Sequence, residues 1–199
     1  NGDKETGVSI IDIAEKLDAG DIYFQEKIAI GPRTDAAELA SELARFSYGI
    51  LKKVLAQVKD GQLRGTPQNE ATATLAPQLS KKDGELSLTT MTAEAIDRKV
   101  RGLQPWPGAY CFIKSERIAL LKTELPLTVP SPDDETREDT SVTEPGTLLA
   151  IEKEGGIQVS TKDGALKILE VKPEGKKPMT AADFVRGRRL GTGEILREK

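Results

Sequence analysis

"EKLDAGDIYFQ", residues Glu15 to Gln25, places a short glycine-containing turn between two apolar runs. Val8 to Ile13 and Ile22 to Ile30 read as strands, the second alternating through Ile22, Phe24 and Ile28 until Gly31-Pro32 stops it. A turn this short predicts that the two strands pair antiparallel. Asp18 sits on the turn and admits two readings. Aspartate is a good turn former, because its side chain can hydrogen-bond the backbone two residues on. It is also a proton-handling group, but the chain contains no histidine to partner it. Gly20 is expected to take a positive φ where the turn closes. Asp21 reads equally well as a solvated turn residue.

Downstream, Asp35 followed by Glu38 predicts a capped helix start. Leu39, Leu43, Phe46, Ile50, Val54 and Val58 recur at helical spacing and form the expected core stripe, with Asp60-Gly61 ending the helix. Two strands and one helix are too few to close an α/β sheet, and the chain starts at Asn1 rather than Met. Both observations lead to the expectation of a piece of a longer protein, with no export leader visible.

Residues 62–79 show neither period and carry two prolines, so they read as an extended linker. A short helix is predicted from Ala93 to Arg101, with Ile96 and Val100 on its buried side and Gly102 placed as its cap. The period then changes to two. Candidate strands are Tyr110 to Lys114, Ile118 to Lys122, Gly146 to Glu152, Gly156 to Thr161 and Leu166 to Val171, which suggests a small antiparallel barrel. Ser131 to Glu144 is acidic, nearly without apolar residues, and reads as a mobile loop. Thr180 is the expected cap of a last helical turn, with Met179 and Phe184 spaced as a hydrophobic staple.

The whole chain of 199 residues has 29 basic and 32 acidic residues, net −3, so nothing in its overall charge attracts nucleic acid. Its apolar runs fall short of the roughly 20 residues of a membrane span. The single cysteine, Cys111, cannot form an internal disulfide, which fits a reducing compartment such as the cytoplasm or an organellar matrix. With one cysteine and no histidine, no metal site is expected. Cys111 itself reads as a buried structural thiol.

"ETGVSI" and "LDAGDI", then "TPQNEATATLAPQLSKKDGEL", "RGLQPWPGAY" and "GALKILEVKPEGKKPMTAADFVRGRRL" together resemble the methionyl-tRNA formyltransferase family, in its order and at its spacing. "LDAGD" alone is a weak signal; "PWPGAY" with the "GKKPMTAADFVRGRRL" stretch is far more specific. Leu88 stands where the family usually has Trp, and Thr74 and Leu75 replace its usual Tyr. The resemblance implies a fold of class α/β plus β. Residues 1–62 would be the end of a Rossmann-like formyltransferase domain, 63–82 a linker, and 83–199 an OB-like barrel that binds tRNA.

It also implies a reaction, transfer of a formyl group from 10-formyltetrahydrofolate to the α-amino group of methionyl initiator tRNA. Attack of the amine builds a tetrahedral oxyanion that needs donors placed in advance. In the family an Asn and a His supply them; both would lie before Asn1, so this chain alone is expected to be inactive. The matching carboxylate is Asp18, implied to be buried, to hold the imidazole and to handle the proton of the attacking amine. The turn Ala14, Glu15, Lys16, Leu17 and Asp18 corresponds to the segment whose backbone recognises the pterin ring, which leaves the Glu15 and Lys16 side chains to solvent.

Phosphate contacts would come from basic residues. The candidates are Arg98, Lys99 and Arg101, then Lys172, Lys176 and Lys177, and finally Arg186, Arg188 and Arg189. Outside the acidic segment, residues 83–199 hold 17 basic and 14 acidic side chains. Without aromatic residues between these cations, base stacking is not suggested. Trp106, between Pro105 and Pro107, is expected in the core rather than on the tRNA. The partners implied are initiator tRNA and the folate donor, with no membrane and a monomeric state. Two other readings compete: a formyltransferase acting on a small amine such as an amino sugar, and a non-catalytic tRNA-binding module.

Overall fold

The computed structural model describes residues 1–126 and 143–196. The acidic segment therefore lies outside the described residues except for its last two. The chain forms two compact units, residues 2–78 and residues 79–199, the second including Asn1.

In the first unit β1 (Glu5–Ile11) and β2 (Ile22–Ala29) pair antiparallel, with Glu5 opposite Ala29 and Ile10 opposite Phe24. Burial alternates along both strands, the period-two signature of a sheet with one covered face. Helix α1 (Ala36–Lys59) packs on this pair. Its start is the expected capping box. The Asp35 carboxylate accepts from the Glu38 N–H at 2.8 Å, and the Glu38 carboxylate accepts from the Asp35 N–H at 3.2 Å. Such a cap contributes about 1 kcal/mol.

The stripe expected along α1 is only partly buried. Ile50 and Val54 are enclosed, Leu39, Leu43 and Phe46 are half-buried, and Val58 is exposed. The physical reason is breadth: two strands offer one narrow strip, whereas 24 helical residues extend about 36 Å.

The linker reading fails at its first half. Thr66 and Ile22 exchange both backbone hydrogen bonds, at 2.8 and 2.9 Å, so residue 66 extends the hairpin on the β2 side. A 3-10 turn, Glu70–Thr72, follows, with the Asn69 side chain accepting from the Ala71 N–H.

The second unit is one sheet under two helices. Its strands are β3 (Tyr110–Ile113), β4 (Glu116–Glu124), β5 (Leu148–Ile151), β6 (Ile157–Ser160), β7 (Ala165–Pro173) and β8 (Met179–Thr180). The order is β3-β4-β7-β6-β5, all antiparallel, with β8 against the later part of β7. All five expected strands exist, but they close no barrel among the described residues. The edges meet other segments instead. Leu86 N–H donates to the Tyr110 carbonyl at 2.7 Å beside β3, and Leu148 N–H donates to the Glu194 carbonyl at 2.8 Å beside β5. Each edge thus finds a backbone partner without finding the other edge.

Helix α2 (Ala93–Gly102) lays Ile96 and Val100 on this sheet, and α3 (Ala181–Gly187) adds Phe184 and Val185. Thr180 caps α3 as expected, accepting from the Asp183 N–H at 3.1 Å. Met179 and Phe184 both meet the core, and Leu88 lies within it. Cys111 is buried and in no disulfide. Gly102 is not the cap of α2; the helix runs through it, and Leu103 caps by donating to the Lys99 carbonyl.

The largest correction concerns Trp106, which is 55% exposed. Just after the Pro-Trp-Pro turn, Gly108, at φ +76°, seats its carbonyl against Gly84. A β-carbon at Gly84 would overlap that carbonyl oxygen. Gly84→Ala is therefore expected to destabilise the second unit by roughly 1–3 kcal/mol, as overpacking does. Gly102→Ala, helical and facing open space, should stabilise it by about 0.5–1 kcal/mol. Urea unfolding of the two variants measures both signs; a neutral Gly84→Ala removes the close-packing account.

Candidate functional site

Ten residues join β1 to β2, and their ends are tied by the Asp12 N–H donating to the Asp21 carbonyl at 2.9 Å. Gly20 is buried beside that tie, and a β-carbon there would overlap the Asp12 carbonyl oxygen. Gly20 is therefore required for close approach and not, as expected, for positive φ. The left-handed residue is Asp18, at φ +55°. Aspartate tolerates this region better than most residues.

Asp18 is exposed, contrary to the burial implied by the resemblance, and its carboxylate accepts no hydrogen bond from the described residues. Its backbone carbonyl is held instead. Gln68 Nε2 donates to the Asp18 carbonyl at 2.8 Å and to the Gly20 carbonyl at 2.7 Å. Sequence reading did not single out Gln68, which falls in the stretch read as linker and within one of the segments that carry the resemblance. The usable signal was Pro67 before it, which favours extended backbone on its N-terminal side.

Ala14, Glu15, Lys16 and Leu17 are all exposed, Leu17 at 87%. Lys16 reaches Glu70 at 3.0 Å across solvent, and such exposed pairs contribute little. The backbone N–H groups of Ala14 to Asp18 donate to no acceptor among the described residues.

Asp21 is more than a solvated turn residue. A β-carbon at Gly65 would lie 2.6 Å from its Cβ and 3.1 Å from Tyr23 Cε1, so both side chains rest on the Gly65 backbone. Partial desolvation there, with Asp12 as neighbour and hydrogen-bond acceptor and Asp21 nearby, raises the Tyr23 phenol above its ordinary 10.0. Among the described residues, no group of three His, Cys, Asp or Glu side chains could hold a metal ion.

The nine basic candidates separate into two kinds. On α2, Arg98 pairs with Glu94 one turn away, and Lys99 donates to the Asp83 carbonyl at 2.9 Å. Arg101 bonds Asp97, whose other oxygen accepts from Thr123 at 2.8 Å in a buried network. These three cations already serve the fold. Arg186 pairs loosely with Asp183 at 3.4 Å, and Arg188 bonds Glu116 while lying against the Phe184 ring.

Lys172, Lys176, Lys177 and Arg189 are exposed and form no ion pair with the described residues. Lys172 also lines an open groove of about 340 Å³ with Tyr110 and Arg117. The Arg117 guanidinium lies 3.9 Å over the Tyr110 ring. Sequence reading missed Arg117 on β4, which lies outside the basic clusters.

A two-stranded hairpin under one helix, followed by an antiparallel sheet under two helices, defines a two-unit protein of α/β plus β class. The chain belongs to the formyl transferase family. Residues 78–189 match the model of the family's C-terminal domain, and residues 1–55 match the formyl transferase model that precedes it. A methionyl-tRNA formyltransferase of Lactobacillus acidophilus is 37% identical over 100% of this chain and 60% of its own length. One from Bdellovibrio bacteriovorus is 35% identical over 98% of this chain and 58% of its own. The chain thus spans about 60% of the relatives it matches. Among solved structures, HypX from Aquifex aeolicus in complex with tetrahydrofolic acid is similar in fold, with TM-score 0.66, 19% identity, and coverage of 100% of this chain and 32% of that one.

The Tyr23 environment can be tested directly. Because its pKa is raised in the folded state, the associated stability is held below pH 10 and lost as pH rises through the folded value. Tyrosinate absorbance, assigned with Tyr23→Phe, should show Tyr23 titrating late. Asp12→Asn should lower its midpoint towards 10.0 without reaching it, since the burial contribution remains. An unmoved midpoint would remove Asp12 as a cause.

Proposed function

We propose that this chain carries the folate-facing turn and the tRNA-binding domain of a methionyl-tRNA formyltransferase. The whole enzyme would transfer a formyl group from 10-formyltetrahydrofolate to the α-amino group of methionyl initiator tRNA. The observation that carries the reading is the loop from Ala14 to Asp18, with open N–H groups and an exposed carboxylate on one turn. Similarity along 98–100% of this chain to proteins named for that activity supports it over the small-amine alternative.

In this reading the backbone of Ala14, Glu15, Lys16, Leu17 and Asp18 orients the pterin. The donor supplies an activated formyl carbon. As the amine attacks, charge grows on the formyl oxygen and a proton must leave the nitrogen. Asp18 Oδ handles that proton through an imidazole which the enzyme provides from outside these residues, since the chain has no histidine. The same division accounts for an Asp18 that stands exposed here and buried in the complete site. By itself the chain would be inactive.

The tRNA would be held at its phosphates by Lys172, Lys176, Lys177 and Arg189, which have no acidic partner to displace. Arg186, loosely paired with Asp183, would join them, and Arg188 would do so on leaving Glu116. Arg98, Lys99 and Arg101 would contribute mainly by holding α2.

The test supplies the remaining part of the relatives' length as a second polypeptide and measures formylation of methionyl initiator tRNA. Activity should appear only in the mixture, and Asp18→Ala should lower it by roughly 10²–10⁴-fold. Binding of the chain alone to initiator tRNA should weaken as salt rises. Changing Lys172, Lys176 and Lys177 to Gln should flatten the log–log slope by about 0.7–0.9 for each phosphate left unneutralised. Near-normal formylation by Asp18→Ala overturns the catalytic role. Salt-independent binding, or none at low salt, overturns the phosphate-gripping domain.

A further inference from the structure

Residues 66, 68 and 70 each touch the hairpin. Thr66 pairs with Ile22 through two backbone hydrogen bonds, Gln68 holds Asp18 and Gly20, and Glu70 meets Lys16. The segment that follows α1 is thus laid along the loop with every second residue touching it. The three interactions are unequal. The Lys16–Glu70 pair stands in solvent, with side chains 70% and 74% exposed, and is easily replaced by water. The Thr66 bridge secures the β2 end only. Gln68 alone grips the loop at the residue with left-handed backbone.

The chemistry of that grip is specific. Both partners are carbonyl oxygens and can only accept, so the amide nitrogen must face them, and each of its two N–H groups serves one carbonyl. Glutamate has the same reach but no donor when ionised, and methionine has the length without any donor. Gln68 is half-buried, and its neighbours secure it: Pro67 restricts the backbone before it, and Asn69 caps the following 3-10 turn.

We propose that Gln68 is the positioning residue of the folate-facing loop, holding Asp18 in its left-handed conformation and so setting where its carboxylate points. This rests on the reading of Ala14 to Asp18 as the folate-facing turn. Gln68 touches no reacting atom; it acts through the backbone of the residue that does. The segment after α1, which has the composition of a spacer, then becomes part of the site.

Nuclear magnetic resonance of the full chain tests it with Gln68→Met and Gln68→Glu. Both variants should move the amide and Cα signals of Asp18, Ala19 and Gly20 while leaving those of β3 to β8 in place, which also shows that the chain is folded. Titration with tetrahydrofolate should perturb Ala14 to Asp18 in the unaltered chain, with affinity reduced several-fold to about tenfold in either variant. Unmoved signals at 18–20 in both variants overturn the inference. So does a turn that moves in Gln68→Met and not in Gln68→Glu, since the donors would then be irrelevant. If both variants move the turn but tetrahydrofolate perturbs no residue of the unaltered loop, the clamp is supported and the folate reading falls.

Discussion

The absence of a side chain at Gly20 is the constraint on which the first unit turns. Because nothing projects from it, the chain can bring residue 20 against the Asp12 carbonyl and let Asp12 and Asp21 close the loop by a backbone hydrogen bond. Everything between them is then forced outward. Ala14 to Leu17 stand in solvent with open donors, and the chain's reversal falls on Asp18 in a left-handed conformation. A bulkier residue at 20 would separate the strand ends, and the loop would lose the conformation that presents a carboxylate at its tip.

A second close approach organises the other unit in the same manner. Gly84 admits the Gly108 carbonyl, which lets residues 84–86 run beside β3 and supply the partner that its free edge lacks. At the far side, residues 194–196 do the same for β5 and Thr147. The sheet is finished by irregular segments at both edges. Five strands with a barrel-like pattern thus form an open sheet among the described residues, because edge hydrogen-bonding groups need partners and residues 84–86 and 194–196 supply them.

The basic residues show how tertiary structure sorts what composition cannot. "RKVR" on α2 and "GKKP" after β7 look alike as clusters of charge. On α2, helical spacing places Glu94 and Asp97 one turn before Arg98 and Arg101, and the fold places the Asp83 carbonyl beside Lys99. After β7 the lysines lie on an exposed turn and form no ion pair with the described residues. The first set is bound to the fold, and the second is available to a ligand.

Local signals were legible in the sequence by itself: the hairpin strands, the Asp35–Glu38 capping box, Ile96 and Val100 on the inner face of α2, the five later strands and the Thr180 cap. Each depends on periods and caps that span only a few residues. The family was legible too, because its motifs keep their order along the chain. What only the tertiary structure decided depends on pairs far apart in sequence. Trp106 is turned outward, and the contact made on Gly84 beside it is the backbone carbonyl of Gly108. The stretch read as linker lies against the hairpin because Thr66 and Gln68 found hydrogen-bonding groups more than forty residues away. A hydrogen bond needs a direction and a distance, and one-dimensional patterns carry neither across such separations.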